Sequence, residues 1–352
     1  MKLDGIQTPA LLVDLDAMEA NLRRMADFFA DKPAKLRPHF KNHKIPMLAL
    51  KQIRAGAIGM TCATIREAEI LVHHGVDSIL IANEIVGDIK AAQVADLSRH
   101  ASVIVAVDSL TGARDLARAQ RNHNSQIEVV VDLDIGLKRC GIPPGEPALE
   151  LAKCAVELGL QFRGLMGYDG HLQALPASED RDRMVCFGSQ SLVSTAELIE
   201  SAGIPVEIVS TGGTGTYAIS GQYPGITEIQ AGSYLLMDTL YANRGAQFQP
   251  ALTVLATVIS KSSPERVVID CGVKAISSER GLPAVKDMPS AQLTALHAEH
   301  GLLDIDAKST AGLEVGQRLL LTVHYNDATI NLHNVVYGVR KSQIEEVFRI
   351  EH

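Results

Sequence analysis

From Lys35 onward, short runs of β-branched and aliphatic residues alternate with stretches whose apolar positions recur at helical spacing. The strand-like runs are LRPHFK at Leu36, IGMTCA at Ile58, SILIAN at Ser78, SVIVAVD at Ser102, IEVVVDLD at Ile127, FRGLMGY at Phe162, VEIVS at Val206 and TEIQAG at Thr227. Between them lie helical patterns. In IREAEILVHHG, residues Ile65, Ala68, Ile70 and Leu71 fall near one face, and ALELAKCAVELGL from Ala148 behaves likewise. Eight such strands joined by helices over roughly 200 residues predict a (β/α)8 TIM barrel, a fold that typically takes about 250. The barrel is placed at residues 20–245. A doubly wound open sheet is the other architecture this alternation allows. The last unit fits least well, because YAISGQYPGI carries no convincing helix.

After about Gly245 the pattern changes. ALTVLATVIS, ERVVIDCG, QRLLLTVHY, NLHNVVYGV and IEEVFRI follow one another without long helices, which predicts an antiparallel β domain over residues 246–352. The stretch between ERVVIDCG and QRLLLTVHY reads as polar loop. Residues 1–19, with the run ALLVD, are assigned to the same domain, and the helical pattern LDAMEANLRRMADFFA leads from it toward the barrel.

The 352 residues are 46% hydrophobic and 21% charged, ample for a sizeable core. The net charge is −8 and no long face is basic, which argues against a nucleic-acid partner. There is no Trp, and aromatics make up 4%, which disfavours a protein-binding surface built on aromatic anchors. The start of the chain lacks a signal-peptide core, since Asp14 ends the run Ala10 to Val13, and no apolar run approaches the ~18 residues of a membrane span. The five cysteines, Cys62, Cys140, Cys154, Cys186 and Cys271, are scattered and never in CxxC spacing. They read as reduced thiols of a cytoplasmic protein.

In a barrel of this kind chemistry sits at the C-terminal ends of the strands. Those ends carry Lys41, Asn83, Arg139, Tyr168, the STGGTGT segment at Ser210, and Gly232-Ser233-Tyr234. The first strand places Arg37, His39, Lys41, His43 and Lys44 within eight residues. Strand alternation would put Arg37, His39 and Lys41 on one face, where like charge and desolvation lower a lysine pKa and attract a phosphate. A solvated basic turn is the plainer reading of the same residues, and Pro38 sits poorly in a central strand. The glycines of TGGTGT let backbone N–H groups converge on an anion, with AGSY at Ala231 as a second arm; ordinary turns are again the plainer reading. The Tyr168 ring suits packing on a planar cofactor or simple filling of the barrel mouth. Arg139 suits a bond to a cofactor atom or a pairing with Asp134.

Taken together, RPHFKNHK, IANEIVG, GLKRCG, STGGTG, TEIQAGSYLLMD and HYNDATINLH resemble the D-threonine aldolase and D-serine dehydratase family, from about Gln7 to near the C-terminus. That resemblance implies the alanine racemase-like fold, pyridoxal 5'-phosphate (PLP) as cofactor, and a homodimer. It implies that Lys41 carries the cofactor as a Schiff base, with Lys44 set aside, and that His39 lies beside it. Tyr168 and Arg139 would line the pocket. Gly213, Thr214 and Gly215, with Gly232, Ser233 and Tyr234, would hold the cofactor and its phosphate.

Two departures stand out. After the sixth strand the text is YDGHLQA, so Ala174 replaces a family histidine and His171 is the nearest one. The family metal pair is read here as His324 and Asp327, one residue further apart than usual, for a divalent ion such as Mn, Mg or Zn. The expected activity is a PLP-dependent lyase acting on a small β-hydroxy-D-amino acid, with Lys41 and His171 catalytic and retro-aldol cleavage preferred. β-Elimination as in a D-serine or 3-hydroxy-D-aspartate dehydratase, an amino-acid racemase, and a non-catalytic PLP carrier are the alternatives.

Overall fold

The computed structural model describes residues 2–245, 247–306 and 312–352. The chain forms two units. One consists of Arg24–Lys41 and Pro46–Gly232; the other of Met1–Arg23, Asn42–Ile45 and Ser233–His352.

The first unit is a parallel barrel. Its strands are β1 (Lys35–Leu36), β2 (Met60–Cys62), β3 (Ser78–Glu84), β4 (Ser102–Val107), β5 (Glu128–Asp132), β6 (Gln161–Met166), β7 (Ile208–Thr211) and β8 (Glu228–Ile229). The ladder runs β1-β8-β7-β6-β5-β4-β3-β2, every pair parallel. The two ends of this ladder meet: Ile58 N donates to Leu36 O at 2.9 Å, Thr61 N to Pro38 O at 2.8 Å, and His39 bridges Thr61. Helices connect most strands, among them Ile65–His73, Leu110–His123 and Glu179–Ser201. Thr64, Ser109 and Ser178 cap these three by accepting from the N–H three residues on, supplying partners for donors that a helix start leaves open. The last connection holds a single helical turn, Tyr217–Ser220. Leu80, Ile104, Ala106, Val130, Met166 and Ile208 form one buried cluster across β3 to β7. Within β4, Ile104 and Ala106 alternate with residues facing the helices, as the period of two requires.

The first strand is shorter than the sequence pattern suggests. Pro38 has no N–H to continue the ladder, so β1 ends at Leu36 and the chain turns into a 3-10 helix, Phe40–Asn42. Lys41 therefore sits on that turn and not on a strand face beside Arg37.

The second unit is built on a nine-stranded sheet. Its long strand Leu252–Ser263 pairs antiparallel with Ala10–Asp14, Arg266–Ile269 and Arg318–Thr322. Gln343–Arg349 pairs antiparallel with Val335–Arg340. The sheet is not wholly antiparallel, since Ala10–Asp14 runs parallel to Val335–Arg340 with Leu11 opposite Val336. The section read as polar loop contains three short strands, Ala284–Val285, Ala291–Leu296 and Gly301–Ile305.

Candidate active site

Lys41 and Arg139 approach the same aromatic ring. The Lys41 Nζ lies 5.8 Å from the centroid of Tyr168, and the Arg139 guanidinium carbon lies 5.7 Å from it. Tyr168 follows β6, Lys41 follows β1, and Arg139 stands in the loop after β5, so all three stand at the C-terminal end of the barrel. The ring's negative face attracts both cations. Lys44 is elsewhere engaged: its Nζ donates to Asn331 Oδ1 at 2.7 Å. Arg37 does not crowd Lys41 either. Its guanidinium forms a buried two-pronged pair with Glu228, at 2.9 and 2.7 Å. The like-charge cluster expected from the sequence is to that extent neutralised.

His39 is buried and lies against the loop after β8, where a Cβ added at Gly232 would come within 2.7 Å of the His39 carbonyl oxygen. Only a glycine lets those two backbones approach so closely. His171, in the 3-10 turn Gly170–Leu172, has its ring over Gly136 and a buried Nδ1 with no hydrogen-bond partner among the described residues. Asp134 accepts from Gly136 N and Lys138 N at 3.0 and 2.9 Å. Those bonds, that from Lys138 foremost, hold its carboxyl below the usual range. Asp134 is thus tied to its own loop.

The glycine segment follows β7 and is buried at Thr211, Thr214 and Thr216. Gly212 adopts φ +72°, the left-handed region glycine tolerates. Two of the N–H groups expected to face an anion are used by the protein itself: Gly213 N donates to Thr216 Oγ1 within the loop at 3.1 Å, and Gly215 N to Gln173 Oε1 of the loop after β6 at 2.9 Å. Thr214 lies between them in the sequence and is buried.

An acidic group that the sequence reading passed over borders Arg139. β3 ends at Glu84, Asp108 follows β4, and β5 ends at Asp132. Burial, then hydrogen bonding with Glu84 and the charges of Glu84 and Asp108, push the Asp132 carboxyl up to about 8, with Arg139 opposing. Asp108 Oδ2 accepts from Gly141 N at 3.2 Å. The runs SILIANE, SVIVAVD and EVVVD each close on an acid, a signal present in the sequence.

The remaining candidates belong to the second unit. Tyr234 is fully buried there, with its ring 5.7 Å from Phe248. Ser233 Oγ accepts from Asn42 Nδ2 at 3.3 Å, and the same amide donates to Asp327 Oδ1 at 2.7 Å. His324 Nδ1 meets Thr239 Oγ1 at 2.9 Å, and its Nε2 faces Gly281, where an added Cβ would lie 3.1 Å away. Asp238 accepts from Tyr241 N and Asn326 N, while burial, aided by the Asp327 charge, pushes its carboxyl up to about 6. No group of three or more His, Cys, Asp or Glu side chains suited to a metal ion occurs among the described residues. His324 and Asp327 lie three residues apart in this unit, each bonded to a different neighbour. The Thr239 bond fixes the orientation of the histidine ring.

The sequence matches the family described as "Alanine racemase, N-terminal domain" over residues 13–239, and the serine dehydratase domain family over residues 251–339. It is 37% identical to a D-threonine aldolase of Arthrobacter sp over 99% of this chain and 93% of that one. It is 31% identical to the D-threo-3-hydroxyaspartate dehydratase of Delftia sp. (strain HT23), over 85% of this chain and 83% of that one. The crystal structure of D-threonine aldolase from Filomicrobium marinum superposes with a TM-score of 0.96 at 34% identity, over 99% of this chain and 96% of that one. The chain belongs to the D-threonine aldolase and D-serine dehydratase family, with the alanine racemase-like fold.

Proposed function

We propose that the protein is a PLP-dependent lyase of small β-hydroxy-D-amino acids, with retro-aldol cleavage its main reaction. The observation that carries this reading is the pair of cations on one ring: Lys41 Nζ and the Arg139 guanidinium both stand within 6 Å of Tyr168 at the end of the barrel where such folds do chemistry. The residues suit the cofactor. Lys41 offers an amine for the aldehyde, the Tyr168 ring a flat wall, Arg139 a fixed cation, and the Thr214 turn with Gly232 a seat for phosphate. When bound, PLP supplies an electron sink that lets a bond to Cα break.

The protein decides which bond that is. His171 is assigned the proton at the β-hydroxyl; in support, its buried Nδ1 has no hydrogen-bond partner among the described residues. In retro-aldol cleavage the Cα–Cβ bond breaks as that proton leaves, giving glycine and an aldehyde. In β-elimination the Cα–H and Cβ–O bonds break instead: the Cα proton passes to the Lys41 amine, His171 delivers a proton to the departing hydroxide, and water converts the released enamine to a keto acid and ammonia. The likeness to the Arthrobacter aldolase supports the first. Ala174, where a family histidine is expected, favours the second.

Pure protein incubated with D-threonine and D-serine separates them. Acetaldehyde from D-threonine supports the aldolase; pyruvate and ammonia from D-serine make the protein a dehydratase. Loss of optical rotation without a carbonyl product would make it a racemase, and bound cofactor without turnover a carrier. Lys41→Ala is expected to abolish the visible absorption band of lysine-bound PLP and all turnover. A divalent ion at His324 and Asp327 belongs to the same proposal. Dialysis against EDTA should lower activity and Mn, Mg or Zn should restore it; undiminished activity removes the ion.

A further inference from the structure

The glycine turn is not held by backbone alone. Gln173, two residues beyond His171, reaches into it with every hydrogen-bonding group of its amide engaged. Its Nε2 donates to Asp169 Oδ1 at 2.5 Å and to Thr216 Oγ1 at 2.9 Å, while its Oε1 accepts from Gly215 N at 2.9 Å. The Thr216 hydroxyl in turn accepts from Gly213 N at 3.1 Å. Arg181 adds a second tie, its Nε donating to Leu172 O at 3.2 Å and its Nη2 to Gly215 O. All of this is dry: Asp169 and Gln173 are each 3% exposed and Thr216 1%.

The same side chain explains two glycines. A Cβ at Gly213 would come within 2.5 Å of Gln173 Oε1, and one at Gly215 would collide with the Gln173 carbonyl oxygen. The turn thus lacks side chains at 213 and 215 so that Gln173 can enter it, and its two inner N–H groups are satisfied without a ligand.

Three demands meet at this one position: two donors, for a carboxylate and a hydroxyl, and one acceptor, for an amide N–H. Among side chains only a primary amide supplies both donors and the acceptor in one plane. Asparagine is one methylene shorter. An ionised glutamate has no donor and would set a second carboxylate against Asp169.

We infer that Gln173 is a positioning residue, which fixes the shape of the 212–216 turn and couples it to the loop carrying Tyr168 and His171. This rests on the PLP reading above and identifies the cofactor's phosphate as the group that feels the coupling. Burying an unpaired amide group is costly, so Gly213 and Gly215 would not keep their positions without their partners.

The test compares PLP with pyridoxal, which has the aldehyde but no phosphate, titrated into cofactor-stripped protein. For Gln173→Ala the dissociation constant for PLP is expected to rise about tenfold or more, the loss typical of removing a partner from buried polar groups. Binding of pyridoxal should be little changed, while the melting temperature falls by a few degrees for the buried bonds lost. Gln173→Glu should show the same phosphate-selective loss. The exchange variant carrying Gln173→Glu and Asp169→Asn, which restores one carboxylate facing one amide, should recover most of it. Unchanged PLP affinity in Gln173→Ala overturns the inference. So does an equal loss for PLP and pyridoxal, which would mark a general effect on folding. If the unmodified protein itself binds both compounds equally, the phosphate seat falls, and with it the part of the functional reading on which this depends.

Discussion

Asp132 closes β5 with a carboxyl that is buried beside two other acids, and the consequence is a proton held at neutral pH. Its value of about 8 in the folded chain stands above the ordinary 3.8, chiefly through burial and then the Glu84 bond. A raised folded value gives stability that is complete below about pH 4 and is lost as pH climbs through 8. The loss approaches about 1.4 kcal/mol per pH unit within that window. The melting temperature of the protein should therefore fall between pH 5 and pH 9, and Asp132→Asn, which cannot ionise, should flatten that dependence; thermal unfolding monitored by circular dichroism across the range checks it. The acids at the strand ends were visible as letters, but only the strand register brings β3, β4 and β5 side by side. That Lys41 stands past the end of the first barrel strand was legible in the RPHFK run. The fate of Arg37 was not, because its partner Glu228 lies 191 residues away in the sequence.

The same pair governs how the barrel holds together at its other end. Glu228 opens β8, Ser78 opens β3, Ser102 opens β4 and Glu128 opens β5. Arg37 spans the first two through its bonds to Glu228 and Ser78, while Glu128 takes Ser102 and Arg163. A polar floor of this kind needs every partner, since each charge is costly once desolvated. Arg37→Met should destabilise the protein by about 3–5 kcal/mol, because Glu228, 6% exposed, is left charged and alone. Replacing both, Arg37→Met with Glu228→Leu, should return most of that loss. Urea unfolding of the two variants measures the difference, and a single variant as stable as the native chain would remove the argument. At this scale the strand and helix order of the barrel was readable from period alone. What escaped were elements too short to show a period. β1 keeps two residues because Pro38 stops it, and Ala284–Val285 has no room for alternation. Gly301–Ile305 hides behind a glycine and an aspartate in the run GLLDI.

Neither unit is a continuous piece of chain. The second takes its first segment before the barrel, a four-residue segment, Asn42–Ile45, from within it, and the rest after it. Each insertion is tied by bonds internal to that unit. Ala10–Asp14 lies between Leu252–Ser263 and Val335–Arg340, with Leu11 and Val13 fully buried. Asn42 bonds Asp327, and the Lys44 carbonyl accepts from Glu351 N at 2.9 Å. A chain shortened to end at Gly232 would keep both insertions and lose all their partners. The strand ALLVD would then present apolar side chains and two unpaired backbone edges to water, a template for association. Asn42, which directly follows Lys41, would lose its bond to Asp327, freeing the turn on which the lysine stands. The expected outcome is a product that scatters light, binds apolar dyes and melts without a sharp transition, and that takes up PLP far less tightly than the full chain. Deleting residues 1–14 as well should reduce the association while leaving PLP uptake impaired, since the lysine turn stays untied. A soluble monomer ending at Gly232 with an undiminished cooperative melt would mean that the barrel segments carry their own stability, and that the sheet serves something other than completing the fold.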